Sequence, residues 1–270
     1  MIKILLERLR QGHRTTAYPD GPPPPMPDRF RGRPMLEATR CPGDCRCCQE
    51  ACPTGAIRLP DASRAGSVAD VKVQSVRVDL GRCLFCTDCA NACPHGAIRH
   101  EDDYHLAARK RDDLLVGAGP VPLAQSLAKP LLGLFGRSLR LRQVSAGGCN
   151  ACEADTNVLG TVGWDMGRFG IGFVASPRHA DGLLITGPVS ENMKPALEKT
   201  YQAVPSPKIV IAVGACAISG GPYAGHPEVH NGVGSVLPVD LFIPGCPPHP
   251  LTILDGLLRL LGKVAESTLD

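Results

Sequence analysis

Twelve of the thirteen cysteines fall into three sets of four whose spacing suits metal binding. The most regular set is the compact run Cys83-x2-Cys86-x2-Cys89-x3-Cys93-Pro94. A similar run, one residue longer in its first gap, is Cys41-x3-Cys45-x2-Cys48-x3-Cys52-Pro53. The third set is dispersed and consists of Cys149, Cys152, Cys216 and Cys246. Thiolates at these spacings bind iron–sulfur clusters, so the pattern indicates a carrier of single electrons.

The two compact runs have the spacing of bacterial ferredoxins, in which the fourth cysteine of a run binds the other cluster. We therefore predict one 4Fe–4S cluster on Cys83, Cys86, Cys89 and Cys52. A second 4Fe–4S cluster is predicted on Cys41, Cys45, Cys48 and Cys93. The alternative is a tetrahedral zinc site, because zinc also accepts four thiolates. Cys47 is predicted to be a thiol outside the cluster, with an exchange of roles with Cys48 as the alternative.

The dispersed set predicts a third 4Fe–4S cluster that forms only when the fold brings its ligands together. Cys149 and Cys152 come from one turn, whereas Cys216 and Cys246 follow separate predicted strands. Glycine precedes Cys149 and Cys246, as expected of loops where the backbone approaches a cofactor closely. Four buried unpaired cysteines are the alternative. The predicted cofactors are thus three 4Fe–4S clusters, with iron as the metal.

The elements that must position these cysteines divide the chain into four segments. The predicted segments are an amphipathic helix with an extended Pro-rich arm at 1–34, a two-cluster domain at 35–105, a connector at 106–136 and an α/β domain at 137–270. The helix would either dock on the surface of its own chain or serve as an anchor on a partner subunit. The arm is expected to wrap a partner rather than extend into solvent. The phrase Ala-Cys-Pro-x-Gly-Ala-Ile-Arg occurs at 51–58 and 92–99 and marks an internal repeat.

Strands and helices alternate after residue 137, which predicts a mainly parallel sheet. The predicted strands are 139–144, 172–175, 182–186, 209–213 and 241–243, and the predicted helices are 192–203 and 251–261. Cys216 and Cys246 would lie near carboxyl ends of strands, where ligands collect in such sheets. Upstream, we predict a strand at 71–79, a charged helix at 104–115 and an apolar helix near 123–134.

The composition argues against several other classes of protein. A net charge of +3 and an aromatic content of 4% argue against a nucleic-acid partner. The odd cysteine count and the absence of a signal-peptide pattern favour a reducing, cytoplasmic setting over a disulfide-rich secreted protein. No run of about 18 apolar residues occurs, so we expect membrane attachment only through partners. No nucleotide-binding glycine motif follows the predicted strands.

Two families are recognisable in the chain. Residues 32–100, with the lead-in Arg31-Gly32-Arg33-Pro34, resemble the two-cluster ferredoxin-like subunits of formate hydrogenlyase and complex I. Residues 137–262 resemble the family of the complex I B subunit and the nickel–iron hydrogenase small subunit. The motifs that carry the second resemblance are Gly148-Cys149-Asn150-Ala151-Cys152-Glu153, Arg168-Phe169-Gly170, Ser176-Pro177-Arg178-His179-Ala180-Asp181, Gly214-Ala215-Cys216-Ala217-Ile218-Ser219-Gly220-Gly221 and Pro244-Gly245-Cys246-Pro247-Pro248.

The resemblances imply an α/β fold class, in which a bacterial-ferredoxin-like α+β module precedes a flavodoxin-like parallel-sheet domain. Complex I members carry adjacent cysteines at the first ligand position, whereas hydrogenase members have Cys-x2-Cys, as at Cys149 and Cys152. The chain therefore resembles a fusion of an electron-carrying subunit with a group 4 hydrogenase small subunit. In that family the Cys149 set holds the cluster proximal to the nickel–iron centre of a separate large subunit.

The partners implied by this resemblance are a large subunit, of the nickel–iron type or the complex I D-subunit type, integral membrane subunits, and an external electron donor or acceptor protein. The implied location is the cytoplasmic face of the cell membrane. The chain lacks the paired Cys-x2-Cys sets of nickel–iron large subunits, so it contains no complete active site. The alternatives are a component of a complex I-like quinone oxidoreductase and a stand-alone iron–sulfur carrier.

A few other residues are weaker candidates for function. Glu153 follows Cys152 and could relay protons at the subunit interface, and the alternative is a solvated carboxylate. Arg178 and His179 could raise the potential of the proximal cluster or simply hold a loop. The spacing of His226 and His230 fits a metal pair, but nearby Pro and Gly residues argue against the helix that such a pair needs.

His249 follows Cys246-Pro-Pro in the sequence. We expect a structural role for this side chain.

Overall fold

Apolar runs separated by helices build a parallel sheet in the C-terminal half of the chain. The computed structural model describes residues 2–12, 14–42, 45–59 and 76–264. The five strands of this sheet are β6 Leu139–Ser145, β7 Ile171–Phe173, β8 Gly182–Thr186, β9 Ile209–Val213 and β10 Leu241–Ile243. All neighbouring strands are parallel, in the order β7-β6-β8-β9-β10. This is the flavodoxin-like order, and it confirms the predicted fold class.

The central strands of this sheet are covered on both faces. Every residue of β8 and β9 is buried, as expected for continuous apolar runs in a parallel sheet. The helices of this half are α4 Lys129–Phe135, α5 Ala151–Val158, α6 Lys194–Ala203, α7 Ala215–Ser219 and α8 Pro250–Leu260. The predicted helices at 192–203 and 251–261 are therefore confirmed as α6 and α8. Every residue of α8 is buried.

The preceding module consists of short antiparallel strands and two one-turn helices. β1 Pro34–Leu36 pairs with β4 Ile98–His100. The strands of a second, three-stranded sheet are β2 Ile57–Arg58, β3 Arg77–Asp79 and β5 Leu115–Val116. The helices α2 Cys47–Glu50 and α3 Asp88–Asn91 occupy equivalent places in the two repeats. Of the predicted strand at 71–79, residues 77–79 form β3, and 71–75 lie outside the described residues.

The prediction of a charged helix at 104–115 is wrong. The backbone N–H of Ala108 donates to the carbonyl oxygen of Phe242 at 3.0 Å, and the reverse bond measures 2.9 Å. The chain thus pairs antiparallel with the edge of β10, and a 3₁₀ turn at Arg111–Leu114 then leads into β5. Pairing and burial outweigh the helix propensity of Leu106, Ala107 and Ala108. The apolar helix expected near 123–134 begins later, as α4.

The N-terminal helix and the arm behave differently from each other. The predicted helix is confirmed as α1 Ile2–Gln11, but none of its residues is buried, so the alternative of docking on its own chain is wrong. Part of the arm packs on the α/β domain of its own chain, and wrapping of a partner by its exposed residues stays a prediction. The Thr16 N–H donates to the Gly163 carbonyl at 2.8 Å, and Tyr18 is buried.

The two cores of the protein lie on opposite faces of the parallel sheet. One core joins the N-terminal module to the sheet, and it includes Phe85 and Leu114 together with Val210 and Ala212. The other core lies against α8 and includes Tyr18 from the arm. The N-terminal module and the sheet therefore share apolar contacts rather than standing apart. No helix in the described ranges is both long and apolar enough to cross a membrane.

Candidate iron–sulfur sites

Three cysteines of the second compact run lie together with one cysteine from the first run. A small cavity of about 20 Å³ is lined by Cys52, Cys83, Cys86 and Cys89 together with other residues. Burial raises the pKa of Cys83 to about 12 and that of Cys89 to about 11, and the negative charge of Cys52 contributes to both shifts. The structure therefore brings Cys52 together with Cys83, Cys86 and Cys89. We name this group set 2.

The first run receives Cys93 in return. Burial raises the pKa of Cys48, and the next largest contributions come from the negative charges of Cys93 and Cys41, with a smaller one from Cys45. These four cysteines are named set 1. Cys47 is exposed, and hydrogen bonding with Cys45 is the main cause of its raised pKa. Its solvent-exposed position fits the prediction of a thiol outside the cluster.

Backbone amides point at several of these sulfur atoms. The N–H of Ala56 donates to the Cys52 Sγ at 3.2 Å, and that of Ala97 donates to the Cys93 Sγ at 3.3 Å. These bonds occupy the same position in the two repeats, four residues after the cysteine. Such donors stabilise thiolate charge and are among the features that set cluster potentials. In each repeat, the phrase Ala-Cys-Pro-x-Gly-Ala-Ile-Arg therefore forms a turn whose backbone N–H donates a hydrogen bond to the cysteine sulfur.

The parallel sheet assembles the dispersed cysteines, which we name set 3. Cys149 follows β6, Cys152 lies in α5, Cys216 lies in α7 after β9, and Cys246 follows β10. All of these segments therefore lie at the carboxyl edge of the sheet. The order in which successive strands are added to the sheet reverses between β6 and β8, and ligands bind near such a point in this topology. Burial raises the pKa of Cys152, and the negative charges of the other three cysteines of the set contribute. Cys149 and Cys246 are exposed.

The backbone around set 3 leaves space for large sulfur atoms. A Cβ atom added at Gly214, whose φ is +90°, would lie 2.5 Å from the Cys152 Sγ. A Cβ atom at Gly221 would lie 2.8 Å from the Cys216 Sγ. Only glycine leaves each thiolate this room. Burial and mutual repulsion raise the pKa values of these thiols, so binding iron would displace their protons and supply the missing positive charge.

The cysteines of each set can be compared with the needs of a cluster and of a single ion. A tetrahedral zinc ion needs its four ligands within about 2.3 Å of one point. The corners of a cubane stand farther apart, so the cysteines of one set can serve a cluster without meeting at one point. Among the described residues, no three His, Cys, Asp or Glu side chains gather closely enough to hold one ion.

Set 2 lies near cysteines of both other sets. The negative charge of Cys48, from set 1, contributes to the raised pKa of Cys89 in set 2. The negative charge of Cys86, from set 2, likewise contributes to the raised pKa of Cys246 in set 3. A cavity of about 490 Å³ is lined by both Cys86 and Cys246. Set 2 is therefore the neighbour of both other sets.

His100 is a residue of the site that the sequence did not reveal. Its ring lines the cavity of set 2, its Nδ1 lies 3.1 Å from the Gly32 carbonyl oxygen, and its buried Nε2 has no hydrogen-bond partner among the described residues. Burial lowers its pKa. The equivalent residue of the first repeat is Leu59, so the repeat gave no signal. An unpaired polar atom at this cavity is consistent with a polar occupant.

Glu153 is buried next to set 3. Its side chain is 6% exposed, and its Oε1 accepts a hydrogen bond of 2.5 Å from the Thr186 hydroxyl at the end of β8. The alternative of a solvated carboxylate is therefore wrong. The structure therefore places a buried acidic side chain next to Cys152, in the first turn of α5.

The remaining polar candidates are explained by local structure. Arg178 and His179 are exposed in a 3₁₀ turn, and in the described part of the chain their side chains make no hydrogen bond or ion pair with set 3. His230 Nε2 lies 2.8 Å from a Glu191 carboxylate oxygen, whereas His226 Nδ1 accepts the backbone N–H of Glu228. These two histidines therefore have separate hydrogen-bond partners.

His249 caps α8 by accepting the Leu251 N–H at 3.2 Å. This hydrogen bond fits the predicted structural role.

Comparison with known proteins identifies two family models in the chain. The family described as "NADH ubiquinone oxidoreductase, 20 Kd subunit" matches residues 149–260, and the "4Fe-4S dicluster domain" matches residues 40–97. A probable membrane-bound hydrogenase subunit mbhJ from Pyrococcus furiosus is 41% identical over half of this chain and 81% of its own length.

Two further relatives match shorter shares of their own chains. The B subunit of an NADH-quinone oxidoreductase from Bacteroides thetaiotaomicron is 44% identical over 43% of this chain and 59% of its own length. Formate hydrogenlyase subunit 7 from Escherichia coli is 41% identical over 54% of this chain and 60% of its own length. The chain thus spans about three fifths of these two relatives.

Proposed function

Because the chain belongs to the family of the NADH ubiquinone oxidoreductase 20 kDa subunit and related hydrogenase subunits, we propose that it relays electrons through three 4Fe–4S clusters in a membrane-associated nickel–iron hydrogenase. That it is an electron-transfer subunit of a hydrogenase or complex I-like complex rests on the matched families. The number of clusters, their ligands and the partners are our proposal.

One observation carries this proposal, namely that set 2 has neighbours in both other sets. The negative charge of Cys48 contributes to the raised pKa of Cys89, and Cys86 and Cys246 line the same cavity. When bound, clusters at these sets supply one-electron chemistry without proton or atom transfer. The protein's part is to hold the thiolates and to donate backbone hydrogen bonds to sulfur.

The exposure of set 3 indicates where a partner subunit binds. In set 3, Cys149 and Cys246 are exposed, so this end opens to the surface of the isolated chain. We propose that the large subunit covers it and contains the site that reduces protons or oxidises hydrogen. Set 1 would then exchange electrons with an external donor or acceptor protein. The chain contributes no complete active site of its own.

The hydrogenase assignment depends on the first ligand pair of set 3. Cys149 and Cys152 are separated by two residues, the spacing typical of the hydrogenase branch, rather than adjacent. A complex I-like quinone oxidoreductase is the second candidate, because the NADH-quinone oxidoreductase relatives match with similar identity. The two candidates differ in the metal content of the large partner.

Metal analysis of the anaerobically purified complex tests the proposal. We expect about 12 iron and 12 sulfide in this chain when it is analysed apart from its partners, four of each for every cubane. Nickel should co-purify in an amount equal to the chain. Without nickel, but with a large partner present, the complex I-like alternative holds. About eight iron per chain would remove one of the proposed clusters, and the absence of any large partner would favour a stand-alone carrier.

The N-terminal helix is proposed to contribute to assembly at the membrane. Its apolar face, formed by Ile2, Leu5, Leu6 and Leu9, is exposed on the isolated chain. We propose that α1 anchors on a neighbouring subunit of the complex, which would place the chain peripherally at the cytoplasmic face. Deletion of residues 2–11 should release the chain from purified membranes without changing its iron content.

Glu153 is proposed to hold a proton near the large subunit. Burial next to Cys152 and the hydrogen bond from Thr186 give this carboxyl a fixed position. Glu153→Gln keeps the shape but removes the exchangeable charge, so hydrogen production should fall by about 100-fold or more, as for other proton-transfer groups. Electron uptake by the clusters should remain unchanged. Equal loss of both would show that Glu153 has only a structural role.

A further inference from the structure

Two consecutive residues of the arm touch the loops that bear set 2 and set 3. The Phe30 ring packs edge-on against His249, with ring centroids 5.3 Å apart. Arg31 Nη1 donates hydrogen bonds to the Cys86 carbonyl at 3.2 Å and to the Phe85 carbonyl at 3.5 Å. His249 follows Cys246 by three residues. The arm therefore reaches both sides of the junction between these sets.

The arm is fixed on both sides of this contact. Upstream, the Tyr18 hydroxyl donates to the Asp255 carboxylate at 2.5 Å, and Arg168 donates to the Tyr18 carbonyl at 2.6 Å. Downstream, the Gly32 N–H donates to the Glu101 carbonyl at 3.0 Å. A Cβ at Gly32 would collide with the carbonyl oxygens of Glu101 and Asp103, so only glycine permits this path.

From this geometry we infer that Arg31 is a positioning residue for the junction of sets 2 and 3. Its guanidinium holds the peptide of Cys86, so that the Cys86 thiolate keeps its place opposite Cys246. It also sets a positive charge beside set 2. Neither family model nor any relative described above assigns this role, and the inference rests on the proposed electron relay for its functional meaning.

The expected consequence is a change in the geometry and the potential of set 2. Arg31→Gln removes the charge and the two-carbonyl clamp. Loss of a nearby positive charge disfavours the added electron, so the midpoint potential of one ferredoxin-type cluster should fall. Arg31 is exposed in the isolated chain, so solvent and salt screen its charge and the shift should be small. The magnetic interaction between the clusters of sets 2 and 3 should weaken.

Arg29 supplies the matched control. It lines the same cavity and is also exposed, but it makes no hydrogen bond to the Cys86 loop among the described residues. Arg29→Gln removes the same charge and should leave the magnetic interaction unchanged. Arg31→Lys keeps the positive charge but lacks the planar guanidinium that binds two carbonyls. Its midpoint potential should therefore be close to that of the wild type, whereas the magnetic interaction between the clusters of sets 2 and 3 should stay weakened. Both properties are measured by EPR-monitored redox titration of the intact, anaerobically prepared chain.

A second measurement does not depend on the cluster signals. Hydrogen–deuterium exchange across residues 84–88 of the intact, anaerobically prepared chain should be at least about fivefold faster in Arg31→Gln, because the hydrogen bonds to the Phe85 and Cys86 carbonyls are lost. Arg29→Gln should exchange like the unchanged protein. Equal exchange and an equal magnetic interaction in the two variants would overturn the role of Arg31. A wild-type chain with fewer than three clusters would instead overturn the electron relay, while the exchange result still decides the positioning role.

Discussion

Set 2 and set 3 both gather four cysteines, but local sequence builds one and the tertiary fold builds the other. Three ligands of set 2 lie within one seven-residue run, and the fourth comes from a repeat of the same phrase. In set 3, the ligands follow β6, β9 and β10, so they meet only when the sheet is complete. Set 2 is enclosed, with the pKa of Cys83 raised to about 12, whereas Cys149 and Cys246 of set 3 are exposed.

This difference separates two tasks within one chain. A set whose cysteines are all half-buried suits the middle of a relay, where no partner needs access. An exposed set at the carboxyl edge of a sheet suits a subunit interface, because a partner can complete its surroundings. The shared core between the module and the sheet then keeps the two environments at a fixed distance.

The largest expected effect separates the exposed set from the enclosed one. Cys149→Ser should abolish electron delivery to the large subunit and leave about eight of about 12 iron atoms, because one cubane is lost. The two ferredoxin-type EPR signals should persist, since their ligands are built from separate residues. Disappearance of these signals would mean that the shared core makes the sets interdependent.

The prediction that the fourth cysteine of each run binds the cluster of the other run can be tested with three serine variants. Cys52→Ser should lose the same EPR signal as Cys83→Ser, because both belong to set 2. Cys41→Ser should lose the other ferredoxin-type signal. Each variant should retain about two thirds of the iron, as expected for one lost cubane. If Cys52→Ser resembled Cys41→Ser, each run would bind its own cluster and the exchange would be wrong.

The space that Gly214 leaves for set 3 can be tested with an added methyl group. Gly214→Ala places a Cβ 2.5 Å from the Cys152 Sγ, so set 3 should lose part of its iron while sets 1 and 2 keep theirs. Gly225→Ala is the control, because Gly225 shares a φ near +85° but has nothing within 4 Å of its added Cβ. Equal iron loss in both variants would attribute the effect to backbone strain alone.

The smallest expected effect concerns the arm that spans the two sets. Tyr18→Phe removes the hydroxyl that donates to the buried Asp255 carboxylate, so the free energy of unfolding should fall by about 1–3 kcal/mol. Urea unfolding at pH 7 measures this loss, with cluster content checked by iron analysis. A decrease in iron at set 2 alone would show that the arm supports the cluster rather than the fold.

The same variant has a defined pH dependence. Burial is the main cause that raises the pKa of Tyr18, followed by the negative charge of Asp255. The folded state therefore keeps the phenol protonated, and this stability is complete below the unfolded pKa of about 10. Above about pH 10 the unfolded chain releases the proton and the contribution declines. The difference between the wild type and Tyr18→Phe should narrow there, and a widening difference would contradict this account.

Patterns of spacing and burial made much of the fold and site predictable. The apolar runs at 182–186 and 209–213 predicted the central strands, because a strand covered on both faces must be apolar throughout. The compact cysteine runs predicted the ferredoxin-type sets because their ligands are local. These features depend on neighbours in the sequence, so a single sequence contains their signal.

Contacts between distant segments were not predictable in the same way. Residues 104–115 have helical propensity, but Ala108 pairs with Phe242 at the sheet edge instead. The arm, His100 and Arg31 depend on surfaces that exist only in the folded chain. No period or spacing in the sequence encodes these contacts, so the packing of part of the arm on its own chain was not predicted.

The contact between Tyr18 and Asp255 joins residues 237 positions apart. During synthesis Tyr18 leaves the ribosome well before Asp255, which lies in α8. The Tyr18 hydroxyl therefore lacks this partner until α8 has emerged. The final docking of this part of the arm is thus a late event relative to the synthesis of set 2, so machinery that delivers iron and sulfide to the nascent chain would meet set 2 before the Tyr18 contact forms.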